Sequence, residues 1–222
     1  MILAIDTSTQ WIGLALADMG MVCYEKIWKT SRRHTIELAP AIQQAMEETG
    51  IKPHALSAVA AALGPGSFTS LRIGLAMAKG LSLSLNIPIV GIPSLDITAY
   101  GQPTAELPMI CVLKSGRERF AACEYRYAEG HWRATSEIVN ATIQELTDRI
   151  TAPTILRGEI NVQERRQLKR RWRNALVADP VDNVRRPALL AQMALQRLEA
   201  GGGDSAAALA PIYIHTTGNP TV

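Results

Sequence analysis

Between Leu63 and Gly74 the chain reads Leu-Gly-Pro-Gly-Ser-Phe-Thr-Ser-Leu-Arg-Ile-Gly. Gly64 and Gly66 can take positive φ, and Pro65 fixes the backbone between them. Ser67 and Thr69 are residues that cap helices. An apolar strand-like run, 57–62, precedes the stretch, and an apolar run with helical spacing, 69–85, follows it. The product is a strand–turn–helix unit that gathers backbone N–H groups at a helix start. Such a start can cradle a phosphate, and it can equally be a tight turn that seats the helix. The Lys-Ser/Thr of a P-loop is missing, and Ser67 does not sit in the Gly-X-Ser-X-Gly pattern of a nucleophile elbow.

A second polar cluster, Asp6-Thr7-Ser8-Thr9, closes the first strand. Asp6 can cap that turn by accepting backbone N–H bonds. Holding Mg²⁺ would take several oxygen ligands together, and the sequence places no second acid beside it. His34 stands near a helix start with Leu38 four residues on, so it lacks the second histidine of a helical metal pair and reads as a surface or capping residue. His54, His131 and His215 show no pairing pattern. Cys23, Cys111 and Cys123 are too scattered for a metal site and read as reduced core thiols.

The elements that must position these residues follow from period and punctuation. Ile2–Asp6, Ile12–Asp18 and Met21–Trp28 are short strands joined by tight turns, an antiparallel meander. Ile36, Ala39, Ile42 and Met46 recur at helical spacing up to Glu48, with Gly50 beyond; Pro40 inside this pattern marks a first turn or a kink. The strand 57–62, the glycine turn, its helix, a strand at 87–92 and a short helix to Tyr100 complete the order β-β-β-α-β-α-β-α. Gly74 and Gly80 lie within the helix after the turn, where each costs about 1 kcal/mol relative to alanine. Close approach of another backbone offsets such a cost. After a linker at 101–104 the pattern loosens. A hairpin spans 109–113 and 119–127 around Lys114-Ser115-Gly116-Arg117, and one or two strands fall in 131–140. Then come a helix at 143–150, a strand at 154–156, a basic helix at 163–173, a strand at 175–177 and a helix at 187–198. An extended segment, 210–214, ends the ordered part. The mixed strand–helix order predicts mixed sheets flanked by helices.

With 222 residues, 47% of them apolar and 19% charged, the chain can bury one large core or two smaller ones and is neither disordered nor membrane-spanning. Its start meets Asp6 at once, without the basic region of a signal peptide. The net charge of +3 is too small to imply nucleic-acid binding by the whole chain. Locally, Arg165, Arg166, Lys169, Arg170, Arg171 and Arg173 crowd together, Arg185 and Arg186 follow, and Trp172 is the one interleaved stacking candidate. This run is either a solvated helix face or a patch for RNA or an acidic partner.

Ile2-Leu3-Ala4-Ile5-Asp6-Thr7-Ser8, the Gly64–Gly74 motif and Pro211-Ile212-Tyr213 together resemble the TsaB (YeaZ) family, strongly over 1–100 and faintly over 101–200. Ser70 stands where that family has glycine. Lys114-Ser115-Gly116-Arg117 replaces an Asp-Ala-Arg-like stretch, and Tyr213-Ile214-His215 replaces Tyr-Leu-Arg. The resemblance implies an ASKHA (actin-like/Hsp70-like ATPase) α/β fold, in which two lobes each carry a mixed sheet flanked by helices. The lobes would span 1–102, joined by the C-terminal segment, and a divergent 103–214, with 215–222 a polar tail.

It also implies a cytoplasmic, non-catalytic scaffold for threonylcarbamoyl transfer to N6 of adenosine 37 in tRNAs reading ANN codons. The chain would form a heterodimer with TsaD, the transferase, and be joined by TsaE, an ATPase. Alone it would pair with itself, and it would meet tRNA through the complex. ATP and metal would belong to the partners. The family's paired helices map to 35–48 and 69–85, with Ile36, Ala39, Ile42, Met46, Leu71, Gly74, Leu75 and Ala78 as the expected interface. Nucleotide-binding members of the superfamily hold a metal-bound phosphate with an aspartate at the place of Asp6. Asp6, Thr7, Gly64, Gly66 and Ser67 are therefore the weaker candidates for phosphate contact, as Arg165, Arg166, Lys169, Arg170 and Arg171 are for RNA. The rival readings are an ATP-binding enzyme using the interlobe cleft and a tRNA-binding accessory module.

Overall fold

The computed structural model describes residues 1–31, 33–116, 118–171 and 173–214, with the side chains of 169–171 outside that description. The chain forms two units: Met1–Gly101 with Arg185–Ile212, and one built on Gln102–Val184. The expected boundary is corrected here, because residues 185–212 belong to the first unit and not to the second.

In the first unit, Ile2–Asp6 (β1), Trp11–Asp18 (β2) and Met21–Lys29 (β3) form the antiparallel meander that their alternation predicts. His34–Thr49 (α1), Ala58–Ala62 (β4), Phe68–Leu85 (α2), Ile89–Ile92 (β5) and Ser94–Tyr100 (α3) follow. β4 pairs parallel with β1 and β5 parallel with β4, giving the order β3-β2-β1-β4-β5. α1 ends at Gly50, whose left-handed φ of 69° lets its N–H reach Glu47 O. Pro40 lies inside α1, not in its first turn.

Alternation along the strands gives this sheet two unlike faces. Leu3, Ile5, Leu14, Leu16 and Val59 point to one, where Leu38, Ile42 and Ala45 of α1 and Leu75 and Ala78 of α2 cover them. Burying each large aliphatic side chain stabilises the fold by roughly 1.5–3 kcal/mol. The other face is lined mainly by alanines, among them Ala4, Ala15, Ala17, Ala58 and Ala60. It is covered by Pro187–Glu199 (α6) through Ala188, Leu190, Ala191 and Ala194. Small residues on both sides let the α6 backbone lie close to the sheet. That complementarity is the physical reason the helix returns to the first unit. Ala210–Ile214 forms no strand, but Ile212 N–H donates to Leu63 O at 2.8 Å and ties the segment to the start of the glycine turn.

The second unit contains Met109–Lys114 (β6), Arg119–Ala128 (β7), His131–Ala134 (β8), Val139–Thr142 (β9), Ile143–Arg149 (α4), Thr154–Gly158 (β10), Val162–Arg171 (α5) and Ala175–Val177 (β11). Its sheet runs β11-β10-β6-β7-β8, with β9 paired to the first half of β7. β6–β7 is antiparallel, whereas β6–β10 and β10–β11 are parallel. Leu146 and Ile150 from α4 and its end, and Leu168 from α5, pack on Ile110, Val112, Phe120 and Leu156. Arg117 in the expected hairpin turn lies outside the described residues, as does the tail from His215.

Candidate functional site

The glycine turn and the end of β1 meet, so Asp6, Thr7, Gly64, Gly66 and Ser67 do come together. Their polar groups, however, bond to one another and to the chain around them. Ser67 N–H donates to Ser8 O at 2.7 Å, and Gly64 N–H donates to Ser94 Oγ at 3.1 Å. Ser8 Oγ shares a hydrogen bond with Ser94 Oγ. Thr7 Oγ1 donates to Ser70 O at 2.7 Å. A Cβ on Gly66 would overlap Ser8 O, and one on Gly64 would stand 2.7 Å from Leu71 Cδ1. The glycines thus let the turn lie against the 6–9 segment. The peptide Gly64–Pro65 is cis. Ser67 is the N-cap residue of α2, yet its side chain makes no capping bond; Ser67 Oγ accepts from Ser70 Oγ at 2.9 Å instead. These bonds are those of the tight turn that the sequence offers beside the phosphate cradle, and they seat the start of α2 against the 6–9 segment.

Asp6 is 3% exposed and occupied at both oxygens. Oδ1 accepts Ser8 N–H at 2.8 Å, as a turn cap should, and Oδ2 accepts Arg185 Nε–H at 2.9 Å. Arg185 also reaches Thr9 Oγ1 at 3.3 Å. Arg186 binds Glu25 Oε2 at 2.6 Å, and Glu25 Oε1 accepts the Ala188 N–H, which caps the first turn of α6. Both arginines that the sequence attaches to the basic run are thus ion-pair partners within the first unit. The dipeptide Arg185-Arg186 just before Pro187 was the available signal, but nothing in linear order connects it to Asp6.

His34 is buried at 4% exposure, which corrects the surface reading. Its Nε2 lies 2.9 Å from Thr9 O. A carbonyl only accepts, so Nε2–H donates to it, and Nδ1 lies 3.5 Å from Ser70 Oγ. Ser70, at the family's glycine position, thereby links the helix start to α1.

The expected interface residues divide into two sets. Leu71, Gly74, Leu75, Ala78 and Ile42 face the unit's own interior, and a Cβ on Gly74 would overlap Thr7 Oγ1. The close approach that Gly74 allows is therefore to β1's end within the same chain. Met46 is half-buried, while Ile36 (57% exposed) and Ala39 are on the outside. The outer stripe of α2 is Phe68, Arg72, Ala76, Gly80 and Leu83. Phe68 lies under the Arg72 guanidinium at 3.7 Å from the ring centre, and the space beside Gly80 is open. Sequence periodicity missed this stripe because α2 is apolar on most of its circumference.

In the basic helix, Arg165 pairs with Asp179 and Arg166 is exposed. Lys169, Arg170 and Arg171 lie on the α5 backbone, but their side chains, and Trp172 altogether, are outside the described residues. Among the described residues no group of His, Cys, Asp and Glu could hold a metal, and no helix is long and apolar enough to cross a membrane.

A family model described as TsaD, tRNA N6-adenosine threonylcarbamoyltransferase, matches residues 28–164. The tRNA threonylcarbamoyladenosine biosynthesis protein TsaB of Escherichia coli (strain K12) is 31% identical over 173 residues, which cover 77% of this chain and 68% of that protein. The protein of the same name from Bacillus subtilis (strain 168) is 40% identical over 98 residues, 44% of this chain; the match spans 43% of the relative's length. The solved structure of YeaZ from Pseudomonas aeruginosa superposes with a TM-score of 0.76 at 22% identity, covering 96% of this chain and 99% of that one. Sheet order and superposition define the class: an α/β protein of two mixed sheets flanked by helices, with the fold of YeaZ. Within that class, the chain belongs to the TsaB (YeaZ) family.

Proposed function

We propose that this chain is a non-catalytic scaffold subunit in the biosynthesis of N6-threonylcarbamoyladenosine at position 37 of tRNAs reading ANN codons. It pairs with TsaD, which transfers the threonylcarbamoyl group, and TsaE joins the pair. ATP and metal are held by those partners. The complex is cytoplasmic, and without TsaD the same surface pairs two copies of this chain. The names of the relatives support the pathway, and the TsaD-type family model supports kinship with the partner.

The observation that carries the scaffold role is the outer stripe of α2. Phe68, Arg72, Ala76, Gly80 and Leu83 recur at about one helical turn, with small residues in the middle and larger ones at the ends. A second helix can approach closely at Ala76 and Gly80 while Phe68 and Leu83 pack against its flanks, and Ile36 and Ala39 are exposed on α1. A stable interface of this kind buries about 1,200–2,000 Å² in total. The enzyme reading is disfavoured by Asp6, whose oxygens are engaged by Ser8 and Arg185.

Co-expression with TsaD and TsaE, followed by gel filtration and a tRNA modification assay, tests the proposal. Ala76→Trp and Gly80→Leu, both on the exposed stripe, should abolish co-elution with TsaD without lowering the circular-dichroism melt of the isolated chain. Co-elution retained by both variants, or modification proceeding without this chain, would overturn it.

A further inference from the structure

Helix α5 and the residues just beyond it carry Arg165, Arg166, Lys169, Arg170, Arg171 and Arg173 against a single acid, Glu164. That acid is already engaged by Lys114 and by Asn161 N–H at 2.8 Å. Of the cations, Arg165 is tied to Asp179. Arg166 and Arg173 are exposed and make no ion pair or hydrogen bond among the described residues. The buried Leu168 fixes the inward side of the helix. At 100° per residue, positions 163, 166 and 170 fall on the opposite side, and Arg173 follows just past the end. Arg165 with Lys169, and Arg166 with Arg170, are like charges four residues apart, an arrangement that opposes helix formation. The helix dipole accounts for cations near its C-terminal end but not for Arg166. The charge surplus thus has no counterpart within the second unit's own helix, although the chain as a whole is only +3.

We propose that the outward face of α5 docks the phosphate backbone of tRNA. The choice of RNA rests on the pathway assigned above. The outward positions are Gln163 and arginines, and Val162 at the helix start is the one exposed apolar side chain among the described side chains of α5; the contact is of cation with phosphate and reads no base sequence. The scaffold then holds its partner on one unit and substrate on the other.

Fluorescence anisotropy of labelled unmodified tRNA with the full chain tests this. Three outward cationic positions, 166, 170 and 173, predict an affinity that falls roughly 40-fold between 50 and 200 mM salt. Arg166→Glu with Arg173→Glu should weaken binding at least tenfold and lower the salt slope by about two, with an unchanged circular-dichroism melt. Wild-type affinity in that double variant, or binding indifferent to salt, overturns the proposal. Displacement of tRNA by polyglutamate at equal charge concentration also overturns it, because the face would then suit any acidic partner. Gel filtration of the same proteins with TsaD separates the two readings. Co-elution without tRNA binding by the chain defeats the docking face alone, whereas tRNA binding without co-elution defeats the scaffold alone.

Discussion

Asp6 and Arg185, 179 residues apart in sequence, form an ion pair of 2.9 Å in which each side chain is only 4% exposed. It joins the end of the first strand to the entry of the helix that covers the alanine-lined face. Desolvating two charges is costly, and removing one partner leaves the other buried and uncompensated. Arg185→Ala should therefore lower stability by about 3–5 kcal/mol. The double replacement Asp6→Leu with Arg185→Met should recover a large part of that loss. Urea denaturation of the three proteins checks both statements; a single-variant loss below about 1 kcal/mol would show that water replaces the arginine at no cost.

Gly74 and Gly80 lie in the same helix and have opposite surroundings. At Gly74 a methyl group meets Thr7, and at Gly80 it meets open space. Gly74→Ala should cost about 1–3 kcal/mol through overpacking against the end of β1, despite alanine's better helix propensity. Gly80→Ala should gain about 1 kcal/mol. Thermal melts of the two variants, run side by side, should show shifts of opposite sign; shifts of the same sign would mean that Thr7 yields to a methyl at Gly74 or that Gly80 is not open.

Leu75 was an expected partner contact and is a core residue, 6% exposed. Leu75→Ala should cost about 2–5 kcal/mol and leave the affinity of the remaining folded protein for TsaD unchanged. Titration calorimetry well below the melting temperature would reveal an error here as a tenfold or greater drop in affinity.

The second unit holds a titrating cap. Glu145 Oε2 accepts the Thr142 N–H at 2.6 Å, and Thr142 Oγ1 accepts the Glu145 N–H at 3.2 Å. The Thr142 backbone bond, then its side chain, and the nearby Arg119 guanidinium hold the Glu145 carboxyl below its ordinary 4.5, against a smaller opposing effect of burial. A depressed carboxyl contributes stability that is fully present above its unfolded value and is lost as pH falls through the lower folded value. In Glu145→Gln the acid limb of the stability curve should be shallower below pH 4.5, with no change in slope above it. Urea midpoints between pH 3 and 7 measure this, and identical acid limbs would rule the contribution out.

How far the sequence reaches depends on whether a signal is local. Strands β1 to β3, the helix ends at Gly50 and Leu85, and the α4 start all carry their period or punctuation within a few residues, and they lie where that pattern puts them. The inner side of α2 was not legible, because Leu71 and Leu75 look no more apolar than Phe68 and Leu83. Only the sheet beneath tells them apart. His34 reads as a surface residue until Thr9 O and Ser70 Oγ are seen beside it. Arg185 and Arg186 look like more of a basic run, and their acids, Asp6 and Glu25, come from the other end of the chain. The return of α6 to the first unit is a matter of matched small residues, Ala188, Ala191 and Ala194 against Ala4, Ala15 and Ala60, which no window of sequence contains.

That return sets an order on synthesis. When Gly101 leaves the ribosome, the first sheet has its α1 and α2 cover, but the helix for its alanine-lined face has not been made. The whole second unit is translated first, a delay of roughly five to twenty seconds at 5–20 residues per second. Through that interval the nascent chain shows a small-residue surface with Asp6 lacking its Arg185 partner at the end of the strand. A fragment ending at Gly101 should accordingly be cut rapidly by protease and regain protection when a peptide spanning 185–212 is supplied; protection of the fragment by itself would show that the closing helix is dispensable.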